Sequence, residues 1–355
     1  MKPSINLKQA ATAIRTVGTT NTILLRGQPG IGKSSILGML AKELPDYQMC
    51  YIDCANLDLG DLAMPVIDKE TMTTSYAPNV RFGVGRGQSR PVMLMFDELG
   101  KASRPVMNML LPTILEHRVG DVPLPTGSIV FATTNLDTDG VGDNIPAHAY
   151  NRMDVVVLSN PTVDQWLEWA ADNDIAPEVM AFAKQYPQSF DCYADLDKDD
   201  KNPYIFNPLT GNTRAFCSPR SLAKVSNIVA QRAVLGEATL ALMAGQIGEA
   251  AARDMDALIN LADQLPLFET IVRDPLNAKI PSSAGALFIL SFMLAGRVDA
   301  KTIEPVMQYA DRMSSASFEA HSLFIASLAS NKTKVGMACH CRAFTVAAAK
   351  LGKYF

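Results

Sequence analysis

The chain has 355 residues, 48% of them hydrophobic and 19% charged, with a formal net charge of −4. This composition excludes an extended disordered chain, and at about 150 residues per domain the length suggests two domains with a core each. The net acidity gives no support to a general nucleic-acid-binding surface, and six cysteines (Cys50, Cys54, Cys192, Cys217, Cys339, Cys341) are too sparse for a disulfide scaffold and read as reduced thiols.

In chain order, residues 5–18 read as a helix leading into a short apolar strand at 22–26. Further strands are expected at 48–54, at 91–96, at 128–133 and at 154–158, with helices between them. Continuously apolar runs such as Pro91–Phe96 suit strands buried on both faces, so residues 1–160 predict a doubly wound parallel α/β domain. After Pro161 the strands stop. Thr162 to Gln165 forms a capping box that opens a helix to about residue 185. A polar, proline-containing stretch follows from Pro187 to Phe216, and Ala, Leu and Met then recur at helical spacing to the end, broken near Pro266, Pro275 and Pro281. The expected division is a nucleotide-binding core at 1–160, a helical lid at 161–249 and an all-helical extension at 250–355. Met1-Lys2-Pro3-Ser4 leads into polar sequence rather than an apolar signal core. The most apolar run, Ala284 to Gly296, is shorter than the ~20 residues that span a bilayer. Both features predict a soluble, cytoplasmic protein with no membrane contact.

Between the first strand and the next helix lies Gly27-Gln28-Pro29-Gly30-Ile31-Gly32-Lys33-Ser34, which satisfies G-x-x-x-x-G-K-[ST] at every fixed position. Glycines let backbone N–H groups curl around phosphate oxygens, and the helix that Ser35 continues adds partial positive charge at its N-terminus. Lys33 would reach the β- and γ-phosphates, and the Ser34 hydroxyl would ligate Mg²⁺. The third strand ends in Asp97-Glu98, where Asp97 would hold the water shell of the metal and Glu98 would polarise an attacking water. The fourth ends in Thr133-Thr134-Asn135, where the Asn135 amide would orient that water and sense the γ-phosphate. The chain is therefore expected to bind a nucleoside triphosphate with Mg²⁺.

The run DELGKASRPVMNMLLPTILEHRVGDVPLPTGSIVFATTN, Asp97 to Asn135, resembles the core of the MoxR-type AAA+ ATPases, in the circle of the NorQ and CbbQ proteins. The resemblance covers most of residues 20–225 and leaves the C-terminal third unmatched. It implies Walker A roles for Lys33 and Ser34, Walker B roles for Asp97 and Glu98, and a sensor 1 role for Asn135. Asn151-Arg152-Met153 is similar to the family's Arg-Phe-Asp element, with Met153 in place of Phe, and implies that Arg152 enters the site of a neighbouring subunit. Ser218-Pro219-Arg220 is similar to sensor 2, with Arg214 as the competing candidate. Residues 64–75 and 118–124 read as hairpins that, in such a family, face the pore of a ring; solvent-facing loops are the other reading. The resemblance also implies a homo-oligomeric ring of six subunits that remodels or activates a protein client, with a von Willebrand A domain protein as a possible partner. A DNA-associated AAA+ ATPase, such as a loader or translocase subunit, is the alternative, and a nucleotide-gated scaffold with little turnover is a third.

Other features carry less. Cys339-His340-Cys341 has no second pair of ligands at the spacing a zinc site requires. Asp195 to Asp200 begins like an EF-hand loop, but Asp200 stands where glycine belongs and Phe206 where the bidentate Glu belongs. Arg81, Arg86 and Arg90 make the loop before the third strand locally basic, as a subunit contact, a solvated connection or a nucleic-acid contact would.

Overall fold

The computed structural model describes residues 3–85, 87–136, 145–196, 202–208, 215–262 and 264–352. Arg86, Asp197 to Asp200 and Arg214 lie outside the described residues. The chain divides into two units, Met1–Asn160 and Pro161–Phe355.

The strands of the first unit are β1 (Ser4–Ile5), β2 (Ile23–Arg26), β3 (Gln48–Asp53), β4 (Ala63–Asp68), β5 (Thr73–Pro78), β6 (Val92–Asp97), β7 (Arg118–Val119), β8 (Val122–Pro123), β9 (Ile129–Thr134) and β10 (Asp154–Leu158). Six of them form one sheet in the order β1-β10-β2-β9-β6-β3, and every pairing in it is parallel. Every residue of β6 and β9 is buried, as strands covered on both faces must be. The helices are α1 (Leu7–Val17), α2 (Ser35–Glu43), α3 (Arg104–Glu116) and α4 (Ala147–Tyr150). Asn6 and Gln9 close a capping box at the start of α1. The edge strand β1 is absent from the sequence-based expectation: two residues show no periodicity, and only pairing with Val157 and Leu158 makes them a strand.

The segment expected to be a hairpin is the antiparallel pair β4–β5, registered from Ala63 opposite Pro78 to Asp68 opposite Thr73. The Asp68 carboxylate accepts from the N–H groups of Glu70 and Thr71 and shapes the turn. Met64, Val66, Ile67, Met72 and Tyr76 of this hairpin are exposed. The second hairpin, β7–β8, touches the first, because the Tyr76 N–H donates to Asp121 Oδ2 at 3.0 Å.

Two of the arginines expected to make the loop before β6 basic, Arg81 and Arg90, are engaged by the fold. Arg90 donates to the carbonyls of Pro45, Asp46 and Tyr47 at 2.7, 2.7 and 3.0 Å, clamping the turn between α2 and β3. Arg81 pairs with Asp61 at 3.2 Å.

The second unit is helical. The single helix expected from Thr162 to about residue 185 is instead two, Val163–Ala171 and Pro177–Gln185. The capping box at Thr162 and Gln165 opens the first as expected. The break follows from Pro177: proline disfavours helical backbone in the residue before it and is tolerated in the first turn, where it starts a new helix. One apolar core runs from Trp166 to Leu351. The division expected between 249 and 250 falls in the first turn of the helix Glu249–Ala262. The apolar run from Ala284 lies in the helix Ala284–Arg297, most of whose residues are buried. The Lys334 ammonium caps its C-terminal end by donating to the carbonyls of Ala295 and Gly296. Cys341 is buried in this core whereas Cys339 and His340 are exposed. Among the described residues no helix is long and apolar enough to cross a membrane.

The Arg90 clamp is testable. Arg90→Ala is expected to lower the unfolding free energy of the first unit by about 1–2 kcal/mol in urea titrations, since three carbonyls lose a shared donor but regain water. Arg90→Lys should restore little of it, because an ammonium on a flexible stem does not reproduce the guanidinium fork.

Candidate nucleotide-binding site

Parallel strands deliver the ends of β2, β3, β6 and β9 to one edge of the sheet, which is where ligands bind in open α/β folds. The phosphate loop leaves β2 at Gly27. A Cβ there would stand 2.6 Å from Ile31 Cδ1 and 3.2 Å from Leu158 Cβ, so the position has no room for a side chain. Gly32 adopts φ +101°, a backbone state that side-chain-bearing residues rarely adopt. The Ser35 hydroxyl then donates to Gly32 O at 2.6 Å as α2 begins. The N-terminus of that helix therefore adjoins the loop directly, and its dipole favours an anion there.

Lys33 is buried, and its ammonium donates to Gly27 O at 2.6 Å, Gln28 O at 2.9 Å and Asn135 Oδ1 at 2.9 Å. The loop lysine and the residue expected to sense the γ-phosphate are thus in direct contact across β2 and β9. Gln28 is itself held by Asn160, whose amide donates to Gln28 Oε1 at 2.9 Å.

Asp97 ends β6, buried among hydroxyls. Its Oδ2 accepts from Ser34 Oγ at 2.6 Å and from the Tyr51 hydroxyl at 2.8 Å, and its Oδ1 accepts from Thr133 Oγ1. Burial alone would push the Asp97 carboxyl up, but the hydroxyls of Ser34, Thr133 and Tyr51 and the charge of Lys33 outweigh it and hold the group below the ordinary carboxylate value. Thr133 also accepts from the Glu98 N–H at 3.3 Å. Glu98 sits at φ 52° and ψ 42°, a left-handed conformation that costs a non-glycine residue energy and clusters at functional positions.

Ser34 Oγ and Asp97 Oδ2 are hard oxygen donors side by side, which fits Mg²⁺. Among the described residues no group of three or more His, Cys, Asp or Glu side chains could hold a metal unaided. An ion between Ser34 and Asp97 would thus complete its shell with phosphate oxygens and water, as Mg²⁺ commonly does.

Arg152 lies apart from this cluster: it is exposed, two residues after α4 and two residues before β10. Asp154 pairs with Ile23, at the start of β2, so Arg152 lies at the sheet edge opposite the loop. At roughly 3.3 Å per residue, β2 alone separates them by about 13 Å. Arg220 is exposed in the second unit, in the first turn of the helix Pro219–Ala230, where Ser218 caps and Pro219 takes the first position. The expectation assigned no role to Tyr51 or to the Thr133 hydroxyl. Their partnership with Asp97 depends on cross-strand register, which no local pattern encodes.

A folded-state carboxyl held below its ordinary value stabilises the fold above that value, and the contribution is lost as pH falls through the lowered one. In metal-free buffer, acidification below the ordinary 3.8 should therefore destabilise the wild type more steeply than Asp97→Asn, read by thermal melts across pH.

Residues 23–160 match the family model described as "ATPase family associated with various cellular activities (AAA)". No curated protein matches the chain. Similar solved structures include the Holliday junction branch migration motor RuvB of Thermotoga maritima, at 18% identity and TM-score 0.36, covering 86% of this chain and 85% of that one. NtrX of Brucella abortus is similar at 14% identity and TM-score 0.37, covering 82% of this chain and 69% of that one. Residues 23–160 therefore carry an AAA ATPase domain, a phosphate-loop core on a parallel sheet, with a helical extension after it.

Proposed function

We propose that the chain hydrolyses ATP as a MoxR-type motor, assembled into a ring of six copies, and uses the cycle to remodel or activate a protein client. The observation that carries this reading is the meeting of Lys33 with Asn135 and of Ser34 with Asp97 at one sheet edge. Lys33 would exchange one of its oxygens for a phosphate oxygen of ATP, and the loop N–H groups would hold the others. Mg²⁺, when bound, would neutralise charge on the phosphates. Glu98 would take a proton from a water that Asn135 orients. The water oxygen would bond to the γ-phosphorus as the bond to the bridging oxygen breaks, leaving ADP and phosphate.

A guanidinium is needed where charge develops on the transferred group. Arg152, on the far edge of its own sheet, suits the site of a neighbouring copy better than its own. Arg220 would couple nucleotide state to movement of the second unit. The exposed apolar hairpin β4–β5, braced by Asp121 of the second hairpin, would touch the client. The helices after residue 250 would serve partner docking, a von Willebrand A domain being the partner the resemblance suggests. The alternative, a DNA-associated loader or translocase subunit, draws no support from the basic loop, where Arg81 and Arg90 are engaged by the fold.

Glu98→Gln tests the reading. The variant is expected to bind ATP like the wild type, to lose at least about 100-fold in kcat, as general-base loss does, and to accumulate as rings with ATP in size-exclusion chromatography. Undiminished turnover, or a chain that stays monomeric with ATP, would contradict it.

A further inference from the structure

Of the three hydroxyls on Asp97, two come from segments already given roles in the site: Ser34 from the phosphate loop and Thr133 from the strand that ends in Asn135. The third comes from β3, whose last residue, Asp53, lies in register with Asp97. Tyr51 faces Met95 across the β3–β6 pair, two residues before Asp53 faces Asp97, so it projects from the same face of the sheet as Asp97. Its hydroxyl lies 2.8 Å from Asp97 Oδ2, the same oxygen that receives the Ser34 proton. Tyr51 is 50% exposed, so core packing is not what requires a tyrosine here. A phenylalanine would fill the same space; only the hydroxyl reaches the carboxylate.

The terminal torsion of a carboxylate is broad, and its orientation is set by the donors around it. Thr133 restrains Oδ1. Ser34 restrains Oδ2, but Ser34 is also the expected metal ligand, so its bond to Asp97 must adjust when an ion binds. Tyr51 holds the same oxygen from a strand that need not move. We propose that Tyr51 is a positioning residue for the metal site: it keeps Asp97 Oδ2 turned toward Ser34, so that the pair is ready for a hydrated Mg²⁺. The inference rests on the reading of this site as a nucleotide site. Groups that orient a metal-holding side chain typically contribute 10–100-fold to metal affinity, and one hydroxyl of three belongs at the lower end.

Binding of a fluorescent ATP analogue to wild type and Tyr51→Phe, titrated with MgCl₂ and repeated in EDTA, separates the possibilities. The expected result is a Mg²⁺ midpoint raised about tenfold in Tyr51→Phe, with unchanged analogue affinity in EDTA and an unchanged melting temperature. kcat at saturating Mg²⁺ should stay within about twofold of wild type, since the ion, once bound, restrains Asp97 itself. A Mg²⁺ midpoint within twofold of wild type overturns the assignment, and so does an equal loss of affinity in EDTA, which would place Tyr51 in support of the loop. A wild type that binds the analogue without any Mg²⁺ dependence removes the metal site, and Tyr51's role with it.

Discussion

A carboxylate buried at the end of a strand must be met by donors, because an ion taken from water without them costs several kcal/mol. Asp97 is met by three hydroxyls and a nearby ammonium, and each comes from a different place in the chain: Ser34 and Lys33 from the loop after β2, Tyr51 from β3 and Thr133 from β9. They converge only because the sheet is wholly parallel and ordered so that β6 lies between β3 and β9, with β2 beyond. The strand order therefore positions the site. A phosphate loop on its own would supply the cradle and the lysine, but not the carboxylate that would hold a metal beside them.

The same register separates what the site lacks from what it has. Lys33, Ser34, Asp97, Glu98 and Asn135 gather at one edge, while Arg152 stands before the first residue of β10, at the other. Adjacent parallel strands cannot bring both ends of the sheet to one place. If Arg152 acts on a nucleotide as proposed, that nucleotide belongs to a second copy, and assembly becomes part of the chemistry.

Much of this was legible in the sequence because it is local. The loop spacing, the Asp97-Glu98 pair and Asn135 each sit where an apolar run ends, and a strand of four to six residues carries its own signature in Leu94 or Phe131. The helix start at Thr162 was legible in the same way, from its capping partner Gln165 three residues on. What escaped depends on partners far along the chain. Tyr51 looks like an ordinary strand residue until β3 is laid beside β6. Arg90 looks like part of a basic patch until the turn at Pro45 to Tyr47 folds against it. The break before Pro177 was locally encoded, and the capping signal upstream of it outweighed the proline in the expectation.

The claim on which the account turns is that one site is completed by two copies of the chain, and mixing two inactive variants tests it most directly. Arg152→Ala keeps an intact loop, and Lys33→Ala keeps an intact arginine. Each alone should show almost no ATP turnover, and an equimolar mixture should recover a measurable fraction of wild-type activity at the hybrid interfaces. A mixture as inactive as its parts, or an Arg152→Ala variant that turns over ATP like the wild type, would contradict the account.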